Sequence, residues 1–332
     1  MKNHFYILLL CIICIACEKK QQTSFYFWKT SYQLSANEQK YLDSLGVQKL
    51  YVRFFDVDIK NGKPLPIGEI KIQTQNTKQE IIPVVFITNE TFAQIDQKNI
   101  EKLATHIQKE IAFLFPKISS KLLKEIQFDC DWTSSTQVNY FSFLKIIQQN
   151  NPDLSISVTI RLHQIKDKIK TGVPPVNKGV LMYYATSNPL TFDAKNSILD
   201  NALAKNYIST LADYPIALDL ALPIYSWAIV QNQVGEKKLI NGIRNADLRD
   251  TTLYQALASN FYFIKKDHYL KGNFLYEDYT LKVEELSTQE LNIAYKNFIK
   301  KNKKKELTTI FFQLDDATLS QYSIIQLKNI LQ

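Results

Sequence analysis

Cysteine is scarce in this chain and poorly placed to staple it. Three of the four cysteines, Cys11, Cys14 and Cys17, fall within the first seventeen residues, and only Cys130 lies in the body. No intrachain disulfide is therefore available once a leader is removed and Cys17 is modified, and the fold must rest on its core. With 332 residues there is chain enough to build a large one. Cys130 reads as a small buried apolar group. Histidine is scarce too, at four residues, and forms no His/Cys cluster with metal-ligand spacing. No metal and no other cofactor is implied. A Gly-x-Ser-x-Gly elbow is lacking, as is a glycine-rich phosphate turn after the first strand candidate, which argues against a dinucleotide-binding open sheet. Beyond the N-terminus every apolar run is short and broken by charge, so no further segment reads as membrane-spanning. The net charge of +8 is scattered except for the run from Lys300 to Lys305, and nucleic acid is not suggested. That run reads either as a solvated helix end or as a patch facing anionic lipid.

What is present begins with an export signal. Lys2 and His4 precede an apolar run from Phe5 to Ala16, too short for a mature span and of the length of a signal core. It ends in Cys14-Ile15-Ala16-Cys17. The expected division is a signal peptide over 1–16, a polar tether over 17–23 and a folded body over 24–332.

The body alternates short β-branched and aromatic runs with longer amphipathic stretches. Strands are predicted at 24–29, 49–55, 81–87, 125–131, 154–162, 178–184, 217–224 and 307–314. Helices are predicted at 35–45, 98–115, 136–149, 197–211, 288–301 and 319–331. Ser35 and Glu38 form a capping-box pattern. The segment holding Gly62, Pro64, Pro66 and Gly68 reads as a loop. Eight buried strands alternating with helices predict a (β/α)8 TIM barrel, with an open doubly wound sheet as the alternative. Residues 228–286 are too many for a plain repeat and predict a small α+β insertion between strands seven and eight, with a short helix near 251–259 and a turn at Lys271-Gly272-Asn273.

In such barrels chemistry sits at the C-terminal strand ends. Strand two ends with Arg53, Asp56 and Asp58. On strand four, Gln127, Asp129, Asp131 and Thr133 share one face, and on strand five Thr159, Arg161 and His163 do the same. Two carboxylates and two potential cations are expected to meet there. Tyr184, Tyr225, Trp227 and Trp28 lie near strand ends and suit a sugar-stacking groove roofed in part by the insertion. The same acids also fit a structural role, paired with Arg161 or His163, and Asp315 and Asp316 fit the start of a last helix with Thr318.

Several of these runs resemble the family 18 glycoside hydrolases, the chitinase-like barrels. Phe128-Asp129-Cys130-Asp131-Trp132-Thr133 is similar to the strand-four signature Asp-Gly-Ile-Asp-Phe-Asp-Trp-Glu, with Asp129, Asp131 and Trp132 on matching positions. Met182-Tyr183-Tyr184 resembles the strand-six Met-x-Tyr-Asp element, and Leu222-Pro223-Ile224-Tyr225 the strand-seven Leu-Pro-Phe-Tyr element. Leu314-Asp315-Asp316 is similar to the strand-eight end. The departures are specific: Thr133 stands at the acid Glu, Ile126 at the first Asp, and Ala185 at the Asp after the strand-six Tyr. The N-terminus resembles a bacterial lipobox with Cys17 as its lipidated residue, although Cys14 and Ile15 depart from the preferred Leu and small residue. The chain as a whole also resembles Bacteroidetes-type lipoproteins, a likeness that implies no activity.

The resemblance implies a lipoprotein held in a membrane, the outer one above all, whose barrel binds or hydrolyses a glycan. Asp131 and Asp129 are the catalytic candidates, with Asp56, Asp58 or Glu277 as further carboxyls. Arg161, His163, Tyr184, Tyr225, Trp227, Trp28, Arg53 and Asp56 are the substrate-binding candidates. A non-catalytic glycan-binding or scaffold protein on a degenerate barrel is the other reading, because a threonine hydroxyl is too weak an acid to protonate a leaving sugar.

Overall fold

A computed structural model describes residues 20–73, 77–192, 195–304 and 306–332. The signal peptide and the lipidation expected at Cys17 lie outside the described residues.

Eight parallel strands close on themselves: β1 (Lys20–Phe27), β2 (Lys49–Lys60), β3 (Glu80–Ile87), β4 (Glu125–Asp129), β5 (Ser155–Arg161), β6 (Lys178–Met182), β7 (Ala217–Pro223) and β8 (Glu306–Phe312). Each pairs with the next in chain order, and β1 pairs with both β8 and β2. The predicted TIM barrel is the observed fold.

Period-two alternation sorts the strand residues. One face turns outward to the helices and forms the main apolar core. Phe128 of β4 meets Phe143 of the helix Gln137–Asn150 edge-on, with centroids 5.1 Å apart. The helix Ile100–Ile118 buries Leu103, Ala104, Ile107, Ile111 and Leu114 on one stripe. The helix Ala36–Ser44 carries the predicted Ser35/Glu38 capping box, worth about 1 kcal/mol at the cap.

The other strand face fills the barrel. Tyr26, Tyr51, Val84, Val180, Met182 and Ile310 pack there, and Tyr26 donates its hydroxyl to Gln127 Oε1 at 2.7 Å. At the N-terminal end the filling is ionic. Lys178 Nζ lies 2.7 Å from Glu125 Oε2 and 3.7 Å from Asp219, which also accepts from Lys304 at 2.6 Å. That end of the barrel is plugged by paired charges.

Three local expectations are corrected. Residues 20–23, read as tether, are the first half of β1, because their backbone groups pair with Glu306–Thr309. The segment read as a loop after strand two is a hairpin: β2 runs on to Lys60, turns through Asn61-Gly62, and returns as Lys63–Ile67. Both turn residues have positive φ, 52° and 72°, the geometry that Asn-Gly favours. Pro64 and Pro66 are tolerated because this is an edge strand. Thirdly, the helix expected near 251–259 is the strand Tyr254–Ala258, paired with Phe261–Ile264. Its Leu and Ala residues favour a helix, and cross-strand pairing overrides them.

Two predicted helices are shorter than expected. The stretch 197–211 is helical only at Asn201–Tyr207, capped by Asp200, followed by a 3-10 turn. The last helix splits into Asp316–Leu319 and Ile324–Ile330, each with its own N-cap. Between β7 and β8 sits an antiparallel sheet of five strands, with Ala228, Val230, Tyr254, Ile264, Leu281 and Val283 in a core of its own.

Candidate functional site

The C-terminal mouth takes its chemistry from β4 and β5. Asp129 ends β4 with only 4% of its surface exposed, and it accepts a 2.6 Å hydrogen bond from Thr159 Oγ1. Burial pushes its carboxyl above the usual range; Arg161 opposes the rise and Asp131 adds to it. The expectation that both aspartates open onto the mouth is thus corrected. Asp129 lies beneath it, while Asp131, two residues past the strand end, keeps 48% of its side chain exposed.

Asp131 is held by Arg161. The guanidinium donates through Nε to Oδ1 and through Nη2 to Oδ2, the latter at 3.0 Å. Burial works against the arginine's charge, but Asp131 and Asp129 outweigh it and raise its pKa further. The guanidinium also stands 6.0 Å from the Tyr184 ring centroid. His163 is exposed on the first turn of the helix Leu162–Lys166. Desolvation lowers its pKa, with Asp131 pulling the other way. Asp131, Arg161, His163, Tyr184, Ala185 and Tyr207 line a cavity of about 320 Å³. Ala185 adopts a φ of 56° where the chain leaves the barrel, a conformation that strains a non-glycine residue.

A second cavity, of about 620 Å³, opens beside the first. Trp28, Tyr225, Trp227, Phe312, Asp315 and Gln321 line it, together with Asn241 and Gly242 from the insertion. A row of rings separates the two. Tyr184 meets Tyr225 at 89° with centroids 6.1 Å apart, Tyr225 meets Trp227 at 5.3 Å, and Phe312 touches Tyr184, Tyr225 and Trp28. Trp28, Tyr225 and Trp227 thus line one cavity at the mouth, while Tyr184 is buried against Tyr225 and lines the smaller one.

The remaining candidates are engaged elsewhere. Arg53 grips Asp56 at 2.7 and 2.6 Å, and its Nη1 donates to the Gly68 carbonyl at 3.1 Å. Gly68 has a φ of 60°, and a Cβ there would stand 2.7 Å from Arg53 Nη2. Asp58 accepts from Thr88 Oγ1 at 2.9 Å. Glu277 is exposed in the insertion. Asp315 caps the helix Asp316–Leu319 through Thr318, as expected for a helix start, and Asp316 accepts from Ser35 and Asn37 at 2.9 Å. Thr133 is exposed, with its hydroxyl 2.8 Å from Ser135 Oγ. Trp132 is fully buried and donates Nε1–H to the Thr171 carbonyl.

Sequence reasoning missed Glu284. It is 1% exposed, pairs with Lys282 at 2.8 Å, and accepts from Trp227 Nε1 at 2.8 Å and from the backbone and side chain of Ser197. This carboxylate pins the insertion to the loop after β6 and orients Trp227. The available signal was the alternation Leu281-Lys282-Val283-Glu284, two charges on one face of an otherwise apolar strand.

No family model matches the sequence, and no curated protein matches it. Solved structures match in shape. The spore cortex-lytic enzyme SleL of Bacillus cereus is similar with a TM-score of 0.55 at 11% identity, over 93% of this chain and 75% of that one. A chitinase from Bacteroides thetaiotaomicron is similar with a TM-score of 0.53 at 12% identity, over 94% of this chain and 97% of that one. At such identities the likeness is one of fold: the chain shares with them a closed eight-stranded parallel barrel.

Proposed function

We propose that this chain is an exported lipoprotein, anchored through lipid on Cys17, whose barrel mouth binds a glycan without hydrolysing it. The observation that carries the binding reading is the Arg161–Asp131 pair beside a continuous row of buried and half-buried rings. Sugar rings stack on aromatic faces, and charged hydrogen-bonding groups at the edge fix their orientation. Hydrolysis asks for more: one carboxyl poised to protonate the leaving oxygen and a second to act as base, nucleophile or stabiliser. Asp131 is committed to Arg161, Asp56 to Arg53 and Glu284 to Lys282. Thr133, at the position where the family 18 resemblance puts the acid, offers only a hydroxyl.

One observation favours turnover as a second reading. Asp129 has a raised pKa and lies next but one in sequence to Asp131, a second carboxyl of the kind glycosidases pair. Its burial and its bond to Thr159 argue against contact with a substrate.

The test is a panel of chitin-type, peptidoglycan-type and plant-type oligosaccharides, scored by calorimetry for binding and by reducing-end release for turnover. Saturable binding without product supports the proposal. Product formation that disappears in Asp129→Asn supports the second reading, and no binding by any glycan rejects both.

A further inference from the structure

The barrel has a second end, and the chain enters it there. β1 starts at Lys20, at the N-terminal face, three residues after Cys17. Three residues span at most about 11 Å. A lipid on Cys17 would therefore hold this face close to the bilayer, with the aromatic mouth at the opposite end.

The composition of the face suits that position. The turn before β4 carries Lys121, Leu122 and Lys124, with Leu122 78% exposed and the Lys124 side chain 65% exposed. Lys78 precedes β3 and its side chain is 75% exposed; Lys303 precedes β8 and its side chain is 76% exposed; Lys300 lies in the last turn of the helix Thr288–Lys301 and is exposed. The acids nearest them, Asp43, Glu80 and Asp213, stand 3.5 to 4.0 Å from Lys78, Lys124 and Lys303. Such solvent-exposed pairs hold lysines weakly and leave them free to exchange partners. Asp153 and Glu306 are exposed on the same face, so the acids named equal these five lysines in number and the contact rests on the turn itself, where Lys121, Leu122 and Lys124 stand together. Lysines close to an anionic lipid surface are attracted to its headgroups.

We propose that this face is a membrane-contact surface: Lys121, Leu122 and Lys124 touch anionic phospholipid headgroups, and the glycan-binding mouth points away from the bilayer. The inference rests on the lipoprotein reading above and adds an orientation and a lipid chemistry to it.

Full-length lipidated protein in phosphatidylglycerol/phosphatidylcholine vesicles tests it. A dye is placed at Leu122→Cys or at Val234→Cys, the latter at an exposed turn of the insertion; Cys130 is fully buried and will not label. Quenching by lipids spin-labelled near the headgroup is expected to be strong at position 122 and near background at position 234. The triple variant Lys121→Glu, Lys124→Glu, Lys303→Glu is expected to lower quenching at 122 at least twofold on anionic vesicles and to leave it unchanged on pure phosphatidylcholine. Equal or reversed quenching at the two positions, or no effect of charge reversal, overturns the inference while the anchor stands. A chain that does not float with vesicles at all overturns the anchor and the inference together.

Discussion

Arg161 and Asp131 face each other across the ends of two neighbouring strands, a fork of two N–H donors on one carboxylate at the rim of the barrel. The pair is half in solvent, so its role is to be weighed as recognition rather than as structural support. Exposed ion pairs contribute about 0–1 kcal/mol to stability. Asp131→Asn is expected to shift unfolding free energy by less than about 1 kcal/mol, while glycan affinity falls several-fold. Parallel thermal unfolding and calorimetric titration check this. A variant that unfolds readily yet binds normally would make Asp131 a structural acid.

Asp129 gives a pH signature. Its carboxyl is raised by burial above the ordinary value of 3.8. A raised acid is least costly below the unfolded pKa and becomes a penalty as pH climbs through the folded one. Asp129→Asn keeps an acceptor for Thr159 and removes the charge. Relative to the parent, the variant should gain stability with rising pH across the interval just above 3.8, and the difference should vanish in stronger acid. Melting temperatures from pH 3.5 to 7 read this directly; a difference constant with pH would contradict it.

The ring surface should carry affinity. Trp28 is half-buried between Tyr26 and Phe312 and lines the larger cavity. Trp28→Ala is expected to weaken glycan binding about tenfold, equivalent to about 1.4 kcal/mol. Stability should suffer less than for a core aromatic, because the indole is not fully enclosed. Titration with the best-binding oligosaccharide from the panel decides it.

Glu284 should matter to the insertion more than to the barrel. Removing one partner of a buried ion pair costs about 3–5 kcal/mol, because the other charge is left uncompensated. Glu284→Gln is expected to loosen the sheet that follows β7, visible as protease cleavage near Asn232–Gly235 before the barrel unfolds. Cleavage kinetics equal to the parent's would show that Ser197 and Trp227 alone hold the insertion.

Much of the architecture was legible because the barrel writes it locally. Eight runs of buried β-branched and aromatic residues separated by amphipathic stretches permit few arrangements, and alternation along β4 and β5 already put Asp129, Thr159 and Arg161 on the inner face. The Asn61-Gly62 hairpin was also written in the sequence, but the flanking prolines read more loudly as loop. What stayed hidden depends on distant residues. Glu125, Lys178, Asp219 and Lys304 come from four separated segments and meet only when the barrel closes. The depth of Asp129 relative to Asp131 was equally out of reach: β4 ends between them, and alternation assigns a face without saying where the solvent begins.

The ridge formed by Tyr184 and Tyr225 divides the mouth into two basins, one walled by Asp131 and Arg161 and the other by Trp28 and Trp227. If the mouth binds glycan as proposed, a monosaccharide would meet two unequal seats and fill them independently, and its titration would be biphasic. An oligosaccharide long enough to lie over the crest joins both seats in a single event, at one molecule per protein and with the entropy of association spent once. On the glycan-binding proposal, chain length, more than the identity of any one sugar unit, is then the property this surface would measure.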